Sequence, residues 1–194
     1  MTSIAAAVAM VASGVAISQT PAGSTPSAAT PGTAPNAVSD VRQDNGRTTK
    51  EFVRAATQAG SEEIAAAQLA NSKSQSADVK AFAQKMIADH GKADAQLRQV
   101  ASKKGFAVPV GPASEDSRML IQLKEKSGAT FDAAYARAMA EDHQKGVTLF
   151  QQAAQNPNLD RDVQKYAQST LPTLQDHLTM ANKLVAAHAS QPVG

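Results

Sequence analysis

An all-α fold, a four-helix bundle with a long crossover that carries a short helix, is what the sequence predicts, and three observations predict it. Hydrophobic residues make up 42% of the 194 residues, much of that share is alanine, and only 4% are aromatic. Alanine loses no side-chain entropy in a helix, so such a composition favours helix over strand. No alternation of apolar and polar residues lasts more than a few positions, which removes the signature of a half-buried strand. Four stretches instead repeat apolar residues at three- and four-residue intervals, with two short polar turns and one longer break at Pro109 and Pro112 between them.

The elements follow in chain order. Residues 4–17 are small, apolar and uncharged and end in Ala16-Ile17-Ser18, so residues 1–18 read as an export signal with its cleavage site. No Lys or Arg precedes the run; either the true start lies upstream or the α-amino group supplies the positive charge. The run is shorter than the roughly 20 apolar residues a bilayer requires, so no transmembrane helix is expected in the mature chain. Residues 19–47 are rich in Pro, Ser, Thr, Gly and Ala with no periodic apolar face, and read as a disordered tether. The bundle is expected over residues 48–188, with a tail at 189–194.

Thr48 and Glu51 have capping-box spacing and are expected to open the first helix, whose inward face reads Phe52, Ala56, Ala59, Glu63, Ala66 and Ala70. Ser76 is placed to cap the second, which carries Val79, Phe82, Ala83, Met86, His90, Ala93, Leu97 and Val100 to a stop at Gly105. A short amphipathic helix is expected around Ser114 to Lys126. The third long helix begins near Thr130 and buries Phe131, Tyr135, Met139, His143, Val147 and Phe150. Asn156-Pro157-Asn158 is a turn, and the fourth helix starts near Asp160 with Val163, Tyr166, Leu174, His177, Ala181 and Leu184 inward. Pro172 inside it removes one backbone hydrogen bond and predicts a kink. Val79-Lys80-Ala81-Phe82-Ala83-Gln84 and Val163-Gln164-Lys165-Tyr166-Ala167-Gln168 echo one another, as two related hairpins would.

Charge and motifs exclude several functions. Nineteen basic and seventeen acidic residues give a formal charge of +2, with the signs interspersed. That is no nucleic-acid stripe. There is no cysteine, hence no disulfide, thiolate site or thiol nucleophile. No phosphate loop, nucleophile elbow or His-Glu-x-x-His is present, and nothing places a nucleophile beside a base, so no catalytic or cofactor-binding residue is assigned.

The histidines carry the remaining signal. Asp89-His90, Asp142-His143 and Asp176-His177 put one Asp-His pair on each of three long helices. Each histidine lies on the inward stripe, and Glu63 lies on that of the first helix. Counted from the turns at about 1.5 Å per residue, all four fall near mid-bundle. Bundle interiors build metal sites from Glu and His on facing helices. Glu63, His90, His143 and His177 are therefore candidate ligands for a transition metal, with zinc, iron and copper the suitable ions. Asp89, Asp142 and Asp176 are candidate hydrogen-bond partners of the ligating rings. The Glu-x-x-His motif of di-iron carboxylate sites is absent, since Ile87, Ala140 and Leu174 stand three residues before the histidines. Met86, Met139 and Met180 lie one turn away, where thioether sulfur would suit copper, although methionine on an apolar stripe commonly fills core. A plain alternative stays open: the Asp-His pairs are structural and fix helix register.

Phe52-Val53-Arg54-Ala55-Ala56, Val79-Lys80-Ala81-Phe82-Ala83, Met86-Ile87-Ala88-Asp89-His90, Phe131-Asp132-Ala133-Ala134-Tyr135, Met139-Ala140-Glu141-Asp142-His143 and Leu171-Pro172-Thr173-Leu174-Gln175-Asp176-His177-Leu178 occur in the order found in a bacterial family. The chain resembles domain of unknown function 4142 over about residues 51–187. The resemblance implies a ferritin-like helical fold and a periplasmic or outer-membrane location, and it supplies no activity or ligand set. Two readings follow: an exported metal-binding bundle, or a non-enzymatic envelope or stress protein acting through its surface.

Overall fold

The computed structural model describes residues 37–108 and 117–189. The expected export signal, residues 19–36 of the expected tether, both crossover prolines and residues 190–194 lie outside the described residues. Five helices form the described chain: α1 (Ala37–Lys73), α2 (Ala77–Lys103), α3 (Arg118–Lys124), α4 (Gly128–Gln155) and α5 (Arg161–His188). Four are long and the third is short, as the periodicity predicts.

Four helix ends test or refine the expectation. α1 begins at Ala37 rather than near Thr48, so the capping-box spacing there lies within a continuous helix and opens nothing. No proline follows Pro35 until after α2, and Gly46 alone costs too little to stop propagation. Ser76 does occupy the position before α2, but its hydroxyl turns to the Asp78 carboxylate; Asp78 Oδ1 accepts instead from the Val79 N–H at 2.8 Å. α5 starts beside Asp160 as expected, and Asp160 caps it, accepting from the N–H groups of Asp162 and Val163 at 2.9 and 3.5 Å. At the end of α2, Gly105 takes a φ of 68°. The Phe106 N–H reaches Ala101 O at 2.9 Å and the Gly105 N–H reaches Ser102 O at 3.1 Å, a Schellman stop that glycine permits. α5 continues through Pro172 without ending.

Contacts at the helix ends fix the topology. Ser74 to Ser76 turn α1 back into α2, and Asn156 to Asp160 turn α4 back into α5. Lys104 at the end of α2 pairs with Asp160 and Asp162 at the start of α5. Thr49 Oγ1 in α1 accepts from the Asp160 N–H at 3.0 Å. At the other end, Lys73 of α1 donates to the carbonyls of Leu123 and Lys124 at 3.4 and 2.7 Å, just before α4 begins. α2 therefore finishes at the opposite end of the bundle from the start of α4, the mark of a crossover bundle. Neighbouring long helices (α1–α2, α2–α5, α5–α4, α4–α1) run antiparallel.

The core is divided in two. One half, toward the end of α1, holds Val79, Phe82, Met86, Phe131, Tyr135, Met139, Ala181 and Leu184, closed from below by Leu120 and Leu123 of α3. The other holds Phe52, Val53, Leu97, Val147, Phe150, Val163, Tyr166 and Leu174. Between them lies a polar layer.

Candidate metal centre

Each long helix contributes one residue to that layer: Glu63 from α1, His90 from α2, His143 from α4 and His177 from α5. Their position follows from spacing. Met86 to His90 and Met139 to His143 are one turn, so each ring continues the inward stripe that fills the lower core. The layer is buried, with His143 and His177 at 0% exposure and His90 and Glu63 at 6%.

The rings form a triangle, with centroids 5.2 to 5.5 Å apart. One ring nitrogen from each lies within 4.8 Å of the other two. His143 Nε2 stands 3.4 Å from His90 Nε2 and 3.3 Å from His177 Nδ1. The remaining nitrogens point outward to acceptors. His143 Nδ1 donates to the Met139 carbonyl at 2.9 Å, and a carbonyl can only accept. His177 Nε2 lies 3.0 Å from Asp89 Oδ2. Glu63 spans the other two rings, with Oε2 3.2 Å from His90 Nδ1 and Oε1 3.4 Å from His143 Nδ1.

Burial sets the protonation. It pushes His90 down to about 3, helped by the neighbouring His143 and His177 rings. It pushes His143 down to about 4, with His177 adding to the fall and the Met139 carbonyl opposing it. It also lowers His177, against the pull of the Asp89 carboxylate. Glu63 moves the other way, up to about 8, through burial and then the charges of Asp142 and Glu62. Glu63 stands within ion-pair range of two histidines, yet desolvation holds both sides neutral near pH 7.

Two proton arrangements fit these heavy atoms. With Glu63 protonated, its acid proton goes to His90 Nδ1, and His90 Nε2–H donates to His143 Nε2. With Glu63 ionised, His90 Nδ1–H donates to Glu63 instead, and His90 Nε2, His143 Nε2 and His177 Nδ1 present three lone pairs to one point. Three converging lone pairs repel one another unless a cation sits among them. For metal–nitrogen bonds of 2.0–2.1 Å at tetrahedral angles, nitrogens are about 3.4 Å apart, the spacing of the two close pairs.

The acidic residues separate by role. Glu63 was expected to ligate beside the rings, whereas it contacts their outer nitrogens. Asp89 reaches His177 across the α2–α5 interface. Asp142 pairs with Lys145 at 3.4 Å and acts on Glu63 through its charge. Asp176 is exposed on α5. Met86 and Met139 fill the lower core, and Met180 packs at its margin. His188 pairs with Asp78 at 3.3 Å on the surface.

Three polar groups near the layer bury oxygens that the sequence did not mark as unpartnered. Tyr135, two turns before His143 on the same stripe, buries a hydroxyl without a partner among the described residues, and burial with the Glu63 charge raises its pKa. Thr57 Oγ1 and Asp94 Oδ1 are likewise buried without partners among the described residues. The 3.6-residue stripe places Tyr135 inward, as expected, without revealing that its hydroxyl lacks a partner; nothing in the spacing distinguishes Thr57 or Asp94.

No helix of the described residues is long and apolar enough to cross a membrane. No curated protein matches the chain. The fold is similar to the crystal structure of a Streptomyces coelicolor protein described as secreted and named DUF305. The TM-score is 0.62 at 11% identity, over 72% of this chain and 91% of that one. A family model matches residues 30–184, and the chain belongs to that family, described as a domain of unknown function (DUF4142).

Proposed function

We propose that this bundle is an exported protein that binds one transition-metal ion through His90 Nε2, His143 Nε2 and His177 Nδ1. The observation that carries the reading is the convergence of three ring nitrogens: the outer nitrogens of His143 and His177 have hydrogen-bond acceptors, and that of His90 faces Glu63 at 3.2 Å. Neutral imidazoles at tetrahedral spacing suit zinc and copper, and the lack of a carboxylate aimed at the centre disfavours a di-iron site. Glu63 and Asp89 hold the outer nitrogens and so fix ring orientation and basicity, as acceptors behind metal-bound histidines do. Export is supported by the signal-like residues 1–18 and by the secreted description of the structural neighbour. Placement in the periplasm or at the outer membrane rests on the family resemblance.

The test is metal content and titration of untagged protein. One equivalent of Zn²⁺ or Cu²⁺ is expected, lost in His143→Ala. A stoichiometry near zero on adding Zn²⁺, Cu²⁺ or Fe²⁺ overturns the reading. A second reading has its own support, because the protonated-Glu63 arrangement ties Glu63, His90 and His143 together without a metal. In that case the layer is a structural device of an envelope or stress protein. Replacing the three histidines then lowers stability while metal content is nil in both proteins.

A further inference from the structure

A cavity of about 30 Å³ lies against the histidine layer on the side of the upper core, walled by α1 and α2 and backed by Phe150 of α4 and Tyr166, Thr170 and Leu174 of α5. Glu63 and His90 form its inner wall, and Ala59, Gly60, Ala93 and Asp94 its outer edge. Ala59 is exposed and the other three are half-buried, so the outer edge meets solvent. The small side chains are what leave the space: a Cβ on Gly60 would stand 3.8 Å from His90 Nδ1, with no other neighbour within 4 Å. Two unpartnered oxygens interrupt a lining that is otherwise largely apolar. Thr57 is 3% exposed, and its hydroxyl, without a partner among the described residues, belongs to the wall. Asp94 Oδ1, also without one, belongs there too, while Asp94 Oδ2 accepts from Arg98 at 2.7 Å. A buried hydroxyl and carboxylate oxygen without protein partners need water or an ion, and the volume exceeds the roughly 10–15 Å³ that one water requires.

We propose that this cavity is the entry vestibule through which a hydrated divalent cation reaches the histidines. The proposal rests on the metal-binding reading above and adds the route. A divalent ion cannot shed its hydration shell without replacement oxygens. Asp94 Oδ1 at the edge, Thr57 Oγ1 inside and Glu63 at the inner wall supply them in sequence, and His90 is the first imidazole met. A rival opening exists between α1 and α4. That cleft of about 310 Å³ is lined by Glu62, Glu63, Asp142, Lys145 and Gly146, and it contains no histidine and no unpartnered buried oxygen.

The experiment is stopped-flow loading of the metal-free full chain with Co²⁺, read by its visible absorption, followed by final stoichiometry. Gly60→Leu and Ala93→Leu, which fill the vestibule from α1 and from α2, are expected to slow loading at least tenfold with one equivalent bound at the end. Thr57→Val, which keeps shape and removes the hydroxyl, is expected to slow it less. Gly146→Leu, in the rival cleft, is expected to load at the unaltered rate. Unchanged rates in both vestibule variants, or a slowing confined to Gly146→Leu, overturn the proposal. Circular dichroism identifies a variant that fails to fold, and two positions on different helices keep the test decisive. If the unaltered chain takes up no Co²⁺ or Zn²⁺, the metal reading itself has failed, a result distinct from a failed route.

Discussion

Below the histidine layer, Phe82, Met86, Phe131, Tyr135 and Met139 are each at most 1% exposed, and α3 closes the end with Leu120 and Leu123. Above it, Phe52, Phe150, Tyr166 and Leu174 keep 5 to 7% exposure, and a cavity of about 30 Å³ is lined by the last three. The two halves use the same helices and the same periodicity. Both mix large and small side chains, but below the layer Ala66, Ala70, Ala83 and Ala136 pack against fully buried Phe82, Phe131, Tyr135 and Met139, whereas above it Ala56, Gly60 and Ala93 border open space. The lower half packs closely under the rings, and the upper half leaves the space proposed above as their approach.

The largest expected effect breaks or keeps that comparison directly. Phe131→Ala removes a fully buried ring from the sealed half and is expected to cost about 3–5 kcal/mol in urea unfolding. Phe150→Ala borders the existing cavity, where water can occupy part of the vacated space, and is expected at or below the lower end of that range. Equal losses in the two halves would show that the upper core is as tightly closed as the lower.

Next in size is the carboxylate that spans two rings. Glu63→Gln removes the carboxylate charge that faces His90 Nδ1 at 3.2 Å and His143 Nδ1 at 3.4 Å. Metal affinity is expected to fall about 10–100-fold, the usual cost of losing a group that orients a ligating imidazole. The same residue links metal to pH. Because Glu63 titrates at about 8, metal that selects its ionised form displaces close to one proton at pH 7 and none well above pH 8. Titration calorimetry in buffers of different ionisation enthalpy measures this, and the Glu63→Gln variant should release none.

The metal-free protein carries the opposite signs in one layer. The histidines are lowered on folding, so between their unfolded value near 6.5 and their folded values the unfolded chain binds more protons. Stability from that source is therefore lost as pH falls below about 6.5. Glu63 is raised from 4.5 to about 8, so its contribution is whole below 4.5 and is lost as pH rises through 8. Three groups against one give a metal-free stability maximum near pH 6.5, checked by urea midpoints from pH 4 to 9. A midpoint that rises steadily to pH 9 would show that Glu63 is ionised in the folded protein.

The stripe of apolar residues made the fold and the meeting of His90, His143, His177 and Glu63 legible in the sequence. Period and turn position decide both which face a residue takes and its height along the bundle. The role of Glu63 was not legible, because spacing places a side chain on a face without saying which ring nitrogen it meets. The start of α1 was missed for a related reason: Thr48 and Glu51 match a capping pattern, but a local cap yields when the chain before it can also be helical. Thr57 and Asp94 were silent because their meaning lies in having no partner, a property of packing alone.

The three Asp-His pairs look equivalent in sequence, and the smallest expected effect tests whether they are. Only Asp89 reaches a ring: its helix neighbours α5, so the carboxylate beside His90 meets His177 Nε2 at 3.0 Å. Asp142 faces the α1–α4 cleft and Lys145, and Asp176 faces solvent. Asp89→Asn keeps one acceptor but loses the charge that favours His177 Nε2–H, and metal affinity is expected to fall about tenfold. Asp176→Asn is expected to change affinity less than twofold and stability by under about 0.5 kcal/mol, the range of surface substitutions. The ratio of the two affinities reads out the asymmetry that an identical dipeptide conceals: the partner of each ring is chosen by the neighbouring helix, not by the preceding residue.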